Sequence, residues 1–239
     1  MGDANGDGYV RINDVVATAN CVVTHDVHGF VFEAADVSKD GQIMVNDVVL
    51  IANIILNGSA APAMYAPAVS ADGTESVTAT MNGSCYIDIS LNNNEAYTAM
   101  QFDVELPAGV VLKDATLTDR AGSSHAVLAG GKTVAAFSTS NESFTGFSGT
   151  VLRLEVEAAG NIDGSIVLDN IYVVTPTGTM KRLDAVGTTG VVDIDATSQR
   201  VNVYNMAGQI VKRNVLRCQA TNSLPAGIYL VGSNKIAVK

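Results

Sequence analysis

The chain has 239 residues and a net charge of −10, from 24 acidic and 14 basic side chains. Such an acidic protein repels phosphate groups, so we expect no nucleic-acid partner. The sequence has no run of about eighteen apolar residues, which argues against a membrane-spanning helix. The length predicts two or three domains of ordinary size.

The first residues carry oxygen-bearing side chains at the spacing of an EF-hand-type calcium loop. Ca²⁺ binds about six to eight oxygen atoms, which alternate side chains of a tight loop can supply. Gly8 permits the positive φ that the turn requires. Asp14 is placed to complete the site from the first turn of a helix. The predicted ligands are Asp3, Asn5, Asp7, the backbone carbonyl of Tyr9, and Asp14.

The same pattern recurs 33 residues later, and the helix that follows the loop is duplicated with it. Residues 13–20 align with residues 46–53, and both segments begin Asn-Asp-Val-Val and end Ala-Asn. Ligands, glycine and helix therefore repeat together, which indicates a duplicated unit. We name residues 3–24 the first repeat and residues 36–57 the second repeat. The second set of ligands is Asp36, Ser38, Asp40, the carbonyl of Gln42, and Asp47.

A duplicated loop–helix unit with Asp at position 12 and no helix before the first loop resembles a type I dockerin. The resemblance implies two structural calcium ions and a protein partner called a cohesin, a β-sandwich that binds the dockerin helices. Ser38 departs from the family, which has Asp or Asn there, so the second site is expected to bind less tightly or through water. The residues similar to the family's recognition pair are Ile12 and Asn13, and Val45 and Asn46.

Apolar residues recur at helical spacing after each loop. Neither helix hides its apolar stripe alone, so we expect the two to pack together with pseudo-twofold symmetry. Gly58 is expected to end the second helix. Thr18 and Ile51 lie outside the stripes and are expected to contribute to a partner surface. The stripes comprise Val15, Val16, Ala19, Val22 and Val23, and Val48, Val49, Ala52, Ile54, Ile55 and Leu56.

Residues 59–68 are mostly small and include two prolines, a composition typical of a linker. From residue 69 onward, segments such as 85–91, 99–106 and 151–157 alternate between apolar and polar residues. This alternation predicts strands with one buried and one solvated face, as in an antiparallel sandwich. The acidic side chains expected on the solvated faces are Asp103, Glu105, Glu155 and Glu157.

Within residues 69–188, residues 97–112 resemble the early strands of a cohesin, and residues 149–157 and 166–171 resemble its closing strands. The resemblance implies a jelly-roll-like sandwich with a flat sheet face for protein contact. A carbohydrate-binding sandwich has a similar pattern, but sugar sites exploit flat aromatic side chains. The chain has no Trp, seven Tyr and six Phe, which favours the protein-binding alternative.

The last segment has its own motifs and its own charge. A Tyr204-Asn-x-x-Gly208 hairpin, a Pro225-x-Gly227-Ile-Tyr strand and a final strand with Lys235 resemble a C-terminal sorting domain of the type IX (Por) secretion system. We expect positive φ at both glycines. The resemblance implies a protein that is secreted or held on the outer-membrane surface of a bacterium. Residues 1–180 carry 21 acidic and 6 basic side chains, whereas residues 181–239 carry 3 and 8, which indicates a separate module.

Signatures of catalysis are missing from the sequence, including a Gly-x-Ser-x-Gly elbow, a phosphate-binding loop and His-Glu-x-x-His. The three His residues offer few general bases. We therefore predict a non-catalytic, calcium-stabilised, exported assembly or adhesion protein, with a carbohydrate-binding surface protein as the alternative.

The predicted fold is multidomain, with a small all-α module, an all-β sandwich and a small β-module. The partner is expected to be a cohesin-like or dockerin-bearing protein. We expect it to bind in trans rather than in cis, because closure within one chain would silence an assembly module. The predicted boundaries are 1–58 for the dockerin-like module, 59–68 for the linker, 69–188 for the sandwich and 189–239 for the sorting-type module.

Overall fold

The fold is taken from a computed structural model of the chain. The residues that it describes are 1–58, 68–69, 74–82, 85–158, 162–183, 192–194, 200–232 and 234–238. The predicted linker lies outside these ranges, apart from Ala68, which begins the first strand. Among the described residues, no helix has the length and apolar character needed to cross a membrane.

Helices occupy the N-terminal region, where the duplicated sequence predicts them. They are α1 Ile12–Thr24, α2 Phe32–Ala35 and α3 Val45–Asn57. The first and third begin directly after the two loops. Gly58 ends α3 in the left-handed conformation, with φ 74°, and its N–H donates to the Ile54 carbonyl at 2.8 Å. Glycine adopts this conformation without the strain that a Cβ would cause.

The next region is an antiparallel β-sandwich. Its strands are β1 Ala68–Val69, β2 Ser76–Asn82, β3 Tyr86–Asn92, β4 Ala99–Glu105, β5 Val110–Leu117, β6 His125–Gly130, β7 Thr133–Ser138, β8 Thr150–Ala158, β9 Ile162–Gly164, β10 Val167–Val174 and β11 Met180–Leu183. The first sheet has the order β1-β11-β10-β4-β7-β6, and the second has the order β2-β3-β8-β5. Described neighbours in both sheets run antiparallel, except β1 beside β11. The predicted antiparallel sandwich is confirmed.

A third sheet follows near the C-terminus. The remaining strands are β12 Val192–Ile194, β13 Arg200–Asn205, β14 Ile210–Leu216, β15 Gly227–Val231 and β16 Asn234–Val238. β12 pairs with β9 of the preceding region, whereas the other four form a sheet in the order β14-β13-β15-β16. The apolar cluster of this C-terminal sheet contains only residues from 201 to 238. The sheet therefore has a small core of its own.

The two glycines of the sorting-type motifs differ in conformation. Gly208 has φ 75° and donates to the Asn205 carbonyl at 2.9 Å in the hairpin between β13 and β14, as expected. Gly227 instead begins β15 with φ outside the left-handed region, so the turn expected there was wrong. A Cβ at this position would lie 3.4 Å from the nearest atom of the Tyr229 ring, which is ordinary van der Waals contact.

The central strands β4 and β7 of the first sheet are buried on both faces. Phe102 of β4 faces the second sheet in the sandwich core. Ala99, which lies on the opposite face of β4, belongs to a second apolar cluster. That cluster also contains Ala135 and Phe137 of β7 and residues of α1 and α3. The sequence predicted a solvated outer face for residues 99–106, and this was wrong because the two helices cover it.

Asp103 is one residue of β4 for which the predicted exposure to solvent was wrong. It is buried at the outer face of β4. The Thr133 hydroxyl donates to its Oδ1 at 2.7 Å and the Asn170 amide to its Oδ2 at 3.0 Å. These bonds, with Lys132 at 3.4 Å, satisfy a carboxylate that burial alone would destabilise.

The buried helix faces also differ from the predicted stripes. Val16 of α1 and Ile55 and Leu56 of α3 are exposed, although each lies on a predicted stripe. Thr18 and Ile51, expected on a partner surface, are fully buried. The stripes predicted only the packing of one helix on the other, whereas the first sheet covers a further side of α3.

Candidate calcium loops and the helix–sheet interface

Both predicted calcium loops fold back on themselves through equivalent hydrogen bonds. The Asp3 carboxylate accepts the N–H groups at loop positions 5 and 6, at 3.0 and 2.9 Å. The Asp36 carboxylate accepts the equivalent pair at 3.2 and 3.0 Å. Gly8 and Gly41 both have positive φ, 87° and 82°, as the tight turn requires. The repeated sequence therefore specifies one loop geometry twice.

Each loop is closed by the aspartate in the first turn of the following helix. Asp14 accepts the N–H groups at loop positions 3 and 9, at 3.1 and 2.7 Å. Asp47 accepts the equivalent groups of Ser38 and Met44 at 2.9 and 3.0 Å. Both carboxylates are fully buried. The sequence anticipated this closing position, and the structure shows that it joins each loop to its helix.

The loops differ at the aspartate of position 5. In the first loop, the Asn13 side-chain amide donates to Oδ2 of Asp7 at 3.1 Å. In the second loop, Oδ2 of Asp40 is buried without a hydrogen-bond partner, and so is Oδ1 of Asn46. An unpaired buried acceptor costs about 1–3 kcal/mol. A bound cation would satisfy such oxygens.

The pKa values of one buried aspartate in the second loop and one exposed aspartate in the first loop are shifted in opposite directions. Burial raises the pKa of Asp47 to about 7, and N–H donation by Ser38 opposes that rise. Asp7 lies in solvent, and its pKa is lowered by the N–H of Tyr9 and by the Asn13 amide. A divalent cation near Asp47 would favour the ionised carboxylate.

The donor set fits a hard cation, because it consists of carboxylate, amide, hydroxyl and carbonyl oxygens. Within the described ranges, no three His, Cys, Asp or Glu side chains are assembled as a preformed metal site. The carboxylates accept N–H groups of their own loops, and each keeps lone pairs that could also bind a cation. The weaker binding expected at the second loop because of Ser38 stays a prediction. Calcium binding by either loop stays a prediction.

Hydrogen bonds hold α3 on the outer face of the first sheet. The Val45 N–H, at the start of the helix, donates to Oε1 of Gln101 on β4 at 3.2 Å. This bond satisfies one of the N–H groups that every helix start leaves without a partner. Further along α3, the Asn53 amide donates to the Pro176 carbonyl at 3.2 Å. Sequence analysis missed Gln101, which resembles any polar residue of a solvated strand face.

Glycines allow the helices to approach the sandwich closely. A Cβ at Gly130, the last residue of β6, would lie 2.7 Å from the Val23 carbonyl oxygen of α1. A Cβ at Gly178 would lie 2.6 Å from the Leu50 side chain of α3. Both distances are shorter than van der Waals contact. A larger residue at Gly130 would push the backbone of α1 away from the sheet, whereas one at Gly178 would displace the Leu50 side chain. Consecutive glycines such as Gly130 and Gly131 are typical of a turn, and the sequence gives no sign of this contact.

The predicted partner-binding residues lie in two environments. Val45 and Asn46 are 0% and 2% exposed, on the side of α3 that packs on the sheet. Ile12 is 52% exposed and Asn13 is also exposed. Positions 16 and 49 follow the same division. We call Val45, Asn46 and Val49 the docked face, and their equivalents Ile12, Asn13 and Val16 the free face.

The sequence matches no protein-family model, and no curated protein matches it significantly. Similar solved structures include a non-cellulosomal cohesin from the archaeon Archaeoglobus fulgidus, at 12% identity over 52% of this chain and 93% of that chain, with a TM-score of 0.41. A structure from a type I cohesin–dockerin complex of Clostridium thermocellum is 10% identical over 54% of this chain and 98% of that chain, with a TM-score of 0.39. ChBD2 from Thermococcus kodakarensis is 18% identical over 45% of this chain and 95% of that chain, with a TM-score of 0.26.

Proposed function

We propose that this chain is a non-catalytic, calcium-stabilised assembly or adhesion protein, in which a dockerin-like helix pair binds the sheet faces of cohesin-like sandwiches. The observation that supports it most is the packing of the docked face on the outer face of the chain's own first sheet. The free face keeps the equivalent residues exposed. The helix pair thus has one occupied and one available side.

The interface has the character of a protein-binding surface. From Val45 to Asn53, every residue of α3 is buried. The sheet contributes small and flat partners, Ala99 and Ala135, beside the ring of Phe137. Burying one side chain of the size of Val or Leu contributes about 1.5–3 kcal/mol, so a few such side chains of α3 are enough for stable binding.

Binding in cis and binding in trans use different faces of the helix pair. The docked face closes in cis, because a tether of about ten residues raises the effective concentration of the helix pair to the millimolar range. The free face binds a cohesin-like protein in trans, as expected for an assembly module. Ile12 and Asn13 are the residues assigned to that contact.

The surroundings of the aromatic residues favour a protein partner over a carbohydrate. Tyr97, Phe102 and Phe137 are fully buried, and Phe144 is nearly so. Sugar sites use exposed rings as platforms, and few remain here. The sorting-type motifs within residues 201–239 support export, so we place the protein outside the cell or on a bacterial outer-membrane surface.

A cut chain tests the docked face. A protease site inserted within residues 59–67 of the full-length protein allows the helix pair to be severed from the sandwich after folding. In calcium, the two fragments are expected to elute together from a sizing column, and excess chelator is expected to separate them. At about 100 times its dissociation constant, each ion stabilises the folded state by about 2.7 kcal/mol, which the chelator withdraws. Magnesium in place of calcium is the control for ion type.

Thiol reactivity in the uncut chain gives a second readout. Cys21 of α1 and Cys85 are both buried, and burial raises the pKa of the Cys21 thiol. In a Cys218→Ser background, chelation is expected to expose Cys21 to alkylation while Cys85 stays protected in the sandwich. In the cut-chain experiment, fragments that separate in calcium contradict docking. Fragments that stay together with Cys21 protected after chelation contradict the calcium requirement.

A further inference from the structure

The C-terminal sheet has an apolar row on the face opposite its core. Tyr204 pairs with Ile210 on one side and with Leu230 on the other, and Leu230 pairs with Lys235. Directly paired residues point to the same side of an antiparallel sheet. The core side is identified by Val203 and Tyr229, which belong to the C-terminal apolar cluster.

This outer row is open to solvent in the described structure. Leu230 is 37% exposed and Ile228, on the same face, is 45% exposed. Tyr204 and Ile210 are half-buried. Apolar side chains that extend over three neighbouring strands are typical of a contact surface and unusual for an ordinary solvated sheet face. We call Tyr204, Ile210, Ile228 and Leu230 the outer apolar row.

The charge around this row has one sign. Residues 200–238 contain five basic and no acidic side chains. Arg200, Arg213 and Lys235 are exposed. A surface of this kind attracts an acidic partner and repels a basic one.

The helix pair offers the opposite charge. Residues 1–58 contain eight acidic and two basic side chains, a net charge of −6 that two bound calcium ions would reduce to −2. On the free face, Ile12 and Val16 are 52% and 44% exposed. Leu56, at the end of α3, is exposed as well, whereas its equivalent Val23 is buried in the other repeat. The same helix pair already packs one side on a sheet.

We propose that the free face of one copy docks on the outer apolar row of a second copy, so that chains associate head to tail. Both surfaces have exposed apolar residues, and the modules that carry them have net charges of opposite sign. The contact is heterologous, since it joins two different patches, and such contacts build open chains or closed rings. The inference rests on the proposed function, which leaves the free face available, and it goes beyond that function by placing the contact on the C-terminal sheet of a second copy.

Sedimentation of the full-length protein in calcium tests this contact. Wild type is expected to assemble as its concentration rises, and less so at high salt, because salt screens exposed charges. Ile12→Glu on the free face and Leu230→Glu on the outer apolar row are each expected to weaken assembly about tenfold or more, the effect of removing a central contact. Val111→Glu, at an exposed apolar position of β5, is the matched control and is expected to assemble as wild type does.

Mixing the two variants separates head from tail. Each variant keeps one intact surface, so an equimolar mixture is expected to form dimers and nothing larger. Wild type that stays monomeric at every concentration overturns the inference, and so does assembly that survives both substitutions or is equally lost in Val111→Glu. Monomers in the mixture overturn it too. The cut-chain experiment reports on the docked face alone, so a failure of the proposed function is distinguishable from a failure here.

Discussion

The first and second repeats share one loop geometry but have opposite surroundings. Val49 of α3 is 1% exposed, whereas its equivalent Val16 of α1 is 44% exposed. Near the other end of the helices the order reverses, because Val23 is buried and Leu56 is exposed. Local sequence therefore sets the loops, and the neighbouring sheet decides which helix positions are buried. One duplicated unit has produced two similar faces, of which the chain's own sheet covers one.

The difference in burial between the two repeats is tested most strongly by placing the same charge at the equivalent position of each. Val49→Asp puts a carboxylate at a position that is 1% exposed and lies within the apolar cluster between the helices and the sheet. An uncompensated buried charge of this kind costs about 3–5 kcal/mol. Val16→Asp changes an exposed residue and is expected to alter stability by less than about 0.5 kcal/mol.

Urea unfolding in calcium, followed by the helical circular-dichroism signal, measures both variants against wild type. Val16→Asp is the matched control, because it has the same chemistry at the equivalent position. Equal losses of stability in the two variants would show that both faces are buried in solution. Two small effects would show that the helix pair leaves the sheet readily.

The distance between helix and sheet is tested by a smaller perturbation. Gly130→Val places a side chain against the Val23 carbonyl, from which a Cβ alone would lie 2.7 Å away. Overpacking typically costs about 1–3 kcal/mol. The expected result is a lower urea midpoint for the helical signal, together with faster alkylation of Cys21.

Ala129→Val is the control for that substitution, because Ala129 is the preceding residue of β6 and is exposed. It is expected to leave the midpoint nearly unchanged. A Gly130→Val variant as stable as this control would contradict the close approach of α1 to the hairpin.

The sequence predicted those features that depend on neighbouring residues. Aspartates at alternate loop positions, together with Gly8 and Gly41, specify a tight turn whatever lies beside it. The antiparallel strands follow in the same way from alternation along each segment. Gly208 was also predicted correctly, because its positive φ belongs to a two-strand hairpin.

Features set by distant contacts could not be predicted. Gln101 and Asp103 alternate with apolar residues and so suggest a solvated face, yet both are buried at the outer face of β4 beneath or beside the helices. Gly130 suggests a turn, but the left-handed residue there is Gly131, and Gly130 is needed for the approach of α1. The calcium ligands and the partner of Ile12 are chemical predictions that fold geometry alone does not decide.

The smallest expected effect concerns the C-terminal sheet, which has its own apolar cluster. Deleting residues 200–239 removes this cluster and leaves both clusters of the helices and sandwich complete. We therefore expect the melting temperature of the remaining chain to change by no more than about 2 °C, which corresponds to about 0.5–1 kcal/mol for a chain of this size. In a bacterial host that exports the protein, the same deletion is expected to abolish surface display.

A slightly longer deletion, of residues 189–239, is the comparison for this experiment. It also removes β12, which pairs with β9. Any additional loss of melting temperature therefore measures that pairing, which the shorter deletion retains. A large loss already caused by the shorter deletion would make the C-terminal sheet part of the main fold and contradict its independence. Undiminished surface display in its absence would contradict the sorting role, because export would then depend on another part of the chain.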